Sequence, residues 1–183
     1  GNTDDSRPSF AQNGNTYMAL RNIVPDATNG FGTTNQWQYF GLATPFRELG
    51  FSGQIDYNRF EPVQVSLYGQ WIKNLALNRG YVNSVAVNNR GPSTAIGSVG
   101  SYSGGDVAWN VGVRVGKSAM EKFGDWNFSL DYRHVESDAV IDGFADADFG
   151  APLYGTNLKG YTLRGNFALS NNIWLGVWWM TAD

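Results

Sequence analysis

The chain has 183 residues, of which 42% are hydrophobic and only 16% charged, with a net charge of −3 and no cysteine. Disulfide scaffolds, thiolate metal sites and cysteine nucleophiles are excluded, and with no run of basic residues nothing points to a phosphate-binding surface, so no nucleic-acid partner is expected. The charged share falls below the roughly 25% of soluble domains, while 15% aromatics and 23 glycines disfavour helix, and the aromatics favour strand.

No apolar stretch approaches the ~18 residues of a membrane helix; the most apolar run, Ile173 to Met180, is far too short. A membrane barrel also escapes hydropathy, because only alternate residues of its strands face lipid. The start, Gly1-Asn2-Thr3-Asp4-Asp5, lacks the basic and apolar regions of a signal peptide.

Period-two alternation dominates the sequence. A first, weak strand is expected near Asn15 to Val24, with Met18 and Leu20 on one face and Tyr17, Ala19 and Arg21 on the other. Trp37 to Ala43 leaves room for an additional strand. From Leu49 to Tyr57, the residues Leu49, Phe51, Gly53, Ile55 and Tyr57 share a face opposite Ser52, Gln54 and Asp56. From Val63, the face Val63, Val65, Leu67, Gly69, Trp71 opposes Gln64, Ser66, Tyr68, Gln70. From Val107, Trp109, Val111, Val113 and Val115 oppose Asn110, Gly112 and Arg114. Trp126, Phe128, Leu130 and Tyr132 oppose Asn127, Ser129, Asp131 and Arg133. Tyr161, Leu163, Gly165, Phe167 and Leu169 oppose Thr162, Arg164 and Asn166. A last strand covers Ile173 to Thr181, where Trp174 and Trp178 on the second face blur the pattern. Seven strands are expected, eight with Trp37 to Ala43, and no segment carries a helical apolar stripe.

The links alternate strictly between short (Arg59 to Pro62, Met120 to Asp125, Asn171 to Asn172) and long (Pro25 to Pro45, Leu77 to Gly105, Asp142 to Asn157). Membrane barrels have this asymmetry, with short periplasmic turns and long outer loops; Gly1 then starts on the periplasmic side and Asp183 ends outside. The spans Asp106 to Lys117 and Trp126 to Ala139 also exceed the five or six residues of globular sheets, where a tilted membrane strand needs ~9–11. The expected fold is therefore all-β: an antiparallel up-and-down transmembrane β-barrel, or a large part of one.

Within such a barrel the polar faces line the lumen, and the predicted pore-lining residues are Asp56, Gln64, Gln70, Arg114, Asp131, Arg133 and Arg164. The apolar faces meet lipid and carry the predicted lipid-facing and girdle residues Trp71, Trp109, Trp126, Tyr132, Tyr161 and Phe167. Of these, Trp71, Tyr132 and Tyr161 lie towards the long-loop ends, and Trp126, with Tyr57, Phe60 and Phe123, towards the short turns. Arg114, Arg133 and Arg164 form a basic ladder favouring anions if their heights match; the opposing reading is that Asp131 and other acids neutralise them.

Candidate chemistry is sparse. The single histidine, His134, has Asp131, Ser137 and Asp138 nearby, but strand alternation sends Asp131 and Ser137 to the opposite face from His134 and Asp138. Asp142, Asp146 and Asp148 share one loop without the spacing of a calcium loop, and a solvated acidic loop is the plainer reading. Asn29-Gly30-Phe31-Gly32 and Ser103-Gly104-Gly105 lack the lysine and helix of a phosphate loop. No catalytic residue, metal site or cofactor is assigned, and the chain is not read as an enzyme.

Three stretches carry a family resemblance. The first is Phe60-Glu61-Pro62-Val63-Gln64-Val65 with Trp71-Ile72-Lys73-Asn74-Leu75. The second is Gly124-Asp125-Trp126-Asn127-Phe128, running through Tyr132-Arg133-His134-Val135-Glu136-Ser137-Asp138 and Asp142-Gly143-Phe144 to Asp148-Phe149-Gly150. The third is Gly155-Thr156-Asn157-Leu158-Lys159-Gly160-Tyr161 to Asn172-Ile173-Trp174-Leu175. Over Phe46 to Ala182 the chain resembles the bacterial family of putative porins. The resemblance implies a barrel in the outer membrane, usually of a longer chain. It departs from that pattern in its length and in ending Met180-Thr181-Ala182-Asp183, without a terminal aromatic residue. Residues 1–183 are therefore expected to be a single barrel domain, or the C-terminal segment of a larger porin barrel lacking its closing strand.

The expected function is passive diffusion of small hydrophilic solutes or ions, with outer-membrane lipid around the barrel and a homo-oligomer as a further partner. The rivals are a narrow barrel acting as anchor or adhesin through its long loops, and a soluble β-sandwich binding module.

Overall fold

The computed structural model describes residues 14–21, 28, 39–146, 148–149 and 155–183. In chain order its elements are β1 (Tyr17–Arg21), β2 (Tyr39–Leu42), β3 (Glu48–Phe60), β4 (Val63–Asn74), α1 (Arg79–Val85), β5 (Val107–Gly116), β6 (Trp126–Val135), β7 (Leu158–Ser170) and β8 (Ile173–Ala182). Strands β3 to β8 form one antiparallel sheet in sequence order, and β1 pairs only with β2 in a separate two-stranded sheet. The six long strands lie where alternation placed them, within a few residues at each end. All five links keep the expected order of short, long, short, long, short, so both long loops among them leave the same end of the sheet.

Two expectations need correction. The sheet is not closed: β3 pairs only with β4, and β8 only with β7. Bacterial barrels close with at least eight strands, and these six leave two free edges. The early strand expected near Asn15 to Val24 is not a wall strand. Its five residues fall short of a membrane span, and it pairs with β2, Tyr17 opposite Leu42 and Met18 opposite Gly41. Residues 22–24, most of the link Pro25 to Pro45, and Gly1 lie outside the described residues, as do Trp37 and Gln38 of the additional strand.

Pairing aligns the alternating residues into rows. Ile55, Leu67, Val113, Leu130, Leu163 and Trp179 stand side by side across all six strands, and Tyr57, Val65, Val115, Phe128, Gly165 and Val177 form the next row. These apolar side chains are exposed or half-exposed, Ile55 at 73% and Leu67 at 54%, with Phe51 on the same face at 63%. On the opposite face small and polar residues are buried, Ser66 at 3% and Thr162 at 4%. No second sheet covers the apolar face among the described residues. A sandwich core would require the reverse.

The long-loop end holds the structure that alternation could not reveal. The segment Leu77 to Gly105, expected as loop, contains α1, capped by the Asn78 side chain, which accepts the Tyr81 N–H at 3.0 Å. Seven residues make two turns, too few to display a 3.6-residue stripe. Val82 and Ala86, four residues apart and so on one face, pack against Ala43 next to β2, with Met18 and Tyr102 around them.

Candidate functional site: the polar face of the sheet

All seven residues expected to line a lumen fall on one face of the sheet. One row across it runs Asp56, Ser66, Arg114, Ser129, Arg164, Trp178; a second runs Gln54, Tyr68, Gly112, Asp131, Thr162; a third runs Ser52, Gln70, Asn110, Arg133, Gly160. Gln64 lies beyond the first, opposite Gly116. Arg114 and Arg164 therefore stand at one height, on either side of Ser129 and two strands apart, roughly 10 Å.

Arg133 does not complete a three-membered ladder. It lies four residues further along β6 than Ser129, roughly 13 Å at the usual strand rise. Its guanidinium pairs with Asp146 at 3.2 Å and sits 4.6 Å from the ring centroid of buried Phe149. Asp131 makes no ion pair among the described residues. It accepts the Tyr68 hydroxyl at 2.5 Å, the tyrosine reaching across β5 where Gly112 provides the space. A Cβ on Gly112 would stand 2.5 Å from the Asp131 Oδ1 and 2.6 Å from the Tyr68 ring.

The polar face is covered at its long-loop end. After β6 the chain turns inward, and Ala139 and Val140 pack on Ile72, Ala108 and Val135 of that face. A 3₁₀ turn, Asp142–Phe144, follows. This segment is fastened by a buried polar network. The Asp138 Oδ1 accepts the Thr16 N–H at 2.8 Å, and Oδ2 accepts the hydroxyls of Thr16 (2.5 Å), Tyr102 (2.7 Å) and Ser137 (2.8 Å). The Asn15 amide donates to the carbonyls of Ser137 (2.5 Å) and Val140 (2.8 Å), while its Oδ1 accepts the Asp142 N–H at 2.8 Å. Asn74, at the end of β4, donates to the Asp138 carbonyl at 3.0 Å and to that of Pro45 at 3.1 Å. Burial, with the hydrogen bond to Asp138 next, pushes the Tyr102 hydroxyl well above its ordinary pKa and keeps it a donor. Three regions far apart in sequence thus join into a roof over one side of the sheet.

The opposite, short-turn end is plainer. Asp125 accepts the backbone N–H groups of Lys122 and Glu121, each at 3.0 Å, and lies 3.8 Å from Lys117. The Lys122 N–H, then the Glu121 N–H and the two lysine charges, hold its carboxyl below the usual carboxylate value.

The aromatic residues of the apolar face gather in two bands. Towards the long loops, Phe51 stacks on Trp71 (6.1 Å), Trp109 leans on Tyr132 (5.3 Å), and Tyr132 meets Tyr161 (4.8 Å). Towards the short turns, Tyr57 meets Phe60 (5.5 Å) and Phe123 meets Phe167 (6.0 Å), with Trp126 paired opposite Phe167. His134 belongs to the first band, stacked 5.9 Å from Trp109. Because β6 ends at Val135, alternation does not carry to Asp138, which turns into the roof. The histidine has neither the serine nor an aspartate beside it. Nor do the three loop aspartates converge: Asp142 is buried and accepts the Tyr17 hydroxyl at 3.2 Å, Asp146 pairs with Arg133, and no cluster of three metal-ligating side chains occurs among the described residues. Trp174 and Trp178, which blurred the last strand, lie on the polar face, with the Arg164 guanidinium 5.0 Å from the Trp178 ring.

The geometry is thus an open, up-and-down antiparallel sheet of long strands, with exposed apolar rows on one face and a polar face partly covered by a roof. The family model described as "Putative porin" matches residues 1–183, and the chain belongs to that family. No curated protein and no solved structure matches it.

Proposed function

We propose that this chain forms the wall of an outer-membrane pore through which small hydrophilic solutes or ions diffuse passively. The observation that carries the reading is the inverted sheet, whose exposed apolar rows end in aromatic bands at both margins. Bilayer lipid satisfies such a face. The unpaired edges of β3 and β8 cannot face lipid, where each unbonded backbone group costs several kcal/mol. Further strands therefore pair there, and residues 1–183 act as the C-terminal segment of a larger barrel domain, with association into a homo-oligomer as a further level of assembly.

In this pore Asp56, Gln64, Gln70, Arg114, Asp131, Arg133 and Arg164 line the water. Trp71, Trp109, Trp126, Tyr132, Tyr161 and Phe167 meet lipid. Arg114 and Arg164, level with each other and unpaired by any carboxylate within 4 Å among the described residues, set a preference for anions. The work is passive, with no cofactor and no catalytic step. The folded roof favours one alternative, a barrel that anchors or adheres through its loops.

The natural polypeptide reconstituted in a planar bilayer separates them. Stepwise conductance is expected, and Arg114→Ser with Arg164→Ser should move the reversal potential towards cations. A folded, inserted protein without conductance would refute the pore; conductance with no shift would refute the selectivity role.

A further inference from the structure

Between the roof and the sheet lies a cavity of about 350 Å³, within the ~300–1,000 Å³ of small-molecule sites. Its two sides differ in chemistry. From the sheet come Asn110 and Arg133, and from the roof Asp146, which neutralises the arginine. Phe149 and Asp146 hold the guanidinium in place, so it offers directed hydrogen bonds without a net charge. The apolar side is built from Ile72, Val140 and Phe144.

Asn110 adds a second observation. Its Oδ1 is the one buried side-chain polar atom among the described residues that no hydrogen-bond donor reaches. Such an orphan carries the uncompensated desolvation penalty of the group. The terminal amide torsion is broad and two-fold, so rotation brings that oxygen round to the cavity, where a hydroxyl can donate to it.

Resting on the pore reading above, we propose that this cavity is a saturable binding station for a neutral polyhydroxylated ring, the chemistry of a mono- or disaccharide. Such a ring presents hydroxyls at its rim and C–H groups on its faces. The rim meets Asn110 and the Arg133–Asp146 pair, which together supply donors and acceptors along the polar side of the cavity. The C–H faces meet Ile72, Val140 and Phe144. Anions are disfavoured there, since the arginine is already paired and Glu48 also borders the cavity. Arg114 and Arg164, further along the sheet, stay available for charge selection. The pore would then combine a neutral station beneath its roof with a basic belt nearer the short turns.

The test uses glucose and maltose on the complete natural polypeptide, folded in detergent, with binding followed by calorimetry, and in a bilayer, with current followed at single-channel resolution. Saturable binding by either sugar at millimolar concentration is expected. Asn110→Ala and Phe144→Ala should each raise the half-saturating concentration at least tenfold. Phe144 is largely exposed, so its variant keeps the fold, and heat-dependent gel mobility confirms that. Binding without conductance would uphold the station and refute the pore. Conductance with no saturable binding would overturn the station alone. Saturable binding unmoved by both substitutions would also overturn it, because the sugar would be sitting elsewhere.

Discussion

The Asp138 carboxylate is the point at which the roof is most exposed to a single atomic change. Replacing it by asparagine keeps its shape and leaves the Oδ1 acceptor for the Thr16 N–H. At the Oδ2 position an NH₂ group would face the hydroxyls of Thr16, Tyr102 and Ser137, all of which now donate. At about 1 kcal/mol net for each bond lost, Asp138→Asn costs the roof about 3 kcal/mol. At 1.4 kcal/mol per decade this raises local opening roughly a hundredfold. The strands take no hydrogen bond from this carboxylate, so their pairing should be untouched. Hydrogen exchange in detergent reads both regions: amides of residues 14–17, 100–105 and 136–142 should exchange roughly a hundredfold faster, and those of β5 to β7 at the original rate. Roof exchange changed less than threefold would refute the role given to Asp138. Equal acceleration in the strands would refute the separation of roof and wall.

Other substitutions test the two faces and the short-turn end. Val113→Arg, in the middle of the apolar face, should destabilise the folded protein in bilayers by roughly 2–4 kcal/mol. Gln54→Arg, at similar depth on the polar face, exposed and beside Asp56, should cost far less, and denaturant titration in lipid vesicles compares them. Gly112→Val should disrupt the Tyr68–Asp131 hydrogen bond by collision, at about 1–3 kcal/mol for overpacking, seen as a lower temperature for the gel-mobility transition. Asp125 has a carboxyl pKa lowered by folding, so its contribution is complete above the unfolded value of about 3.9 and is lost as pH falls through the lower folded value. Asp125→Asn should therefore flatten the acid limb of the stability profile below about pH 4 and leave its slope at neutral pH unchanged.

The wall was readable from sequence because a two-residue period carries its whole pattern. From Val107 to Gly116, alternation determines both the extent of β5 and which side chains share a face. Relative height is another matter. Nothing in the spacing along separate strands says that Ser129 stands opposite both Arg114 and Arg164; pairing register alone decides that, and it removes Arg133 from their level. The roof was illegible for a different reason. Asn15, Thr16, Tyr102 and Asp138 are ordinary loop residues in their local context, and their importance arises from partners 122 to 127 residues away for Asn15 and 36 for Tyr102. The hint was compositional: asparagines at 74, 88 and 89 and the Ser137–Asp138 pair supply the capacity to satisfy buried backbone groups outside any ladder. Trp174 and Trp178 gave a true signal that lacked an interpretation, since their face is polar but carries Arg164 for one of them to stack on.

The separation between wall and roof also orders events in time. Strand pairs β3–β4 and β7–β8 close over turns of two residues, and hairpins of this kind form in roughly 1–10 μs. The roof must wait for Asn15 to find Ser137 and Asp142, contacts that span most of the chain and whose closure entropy is repaid only once β6 and its following loop are in place. A nascent molecule therefore passes through a stage in which the sheet exists and its polar side is still uncovered, until the last and most distant contacts are made.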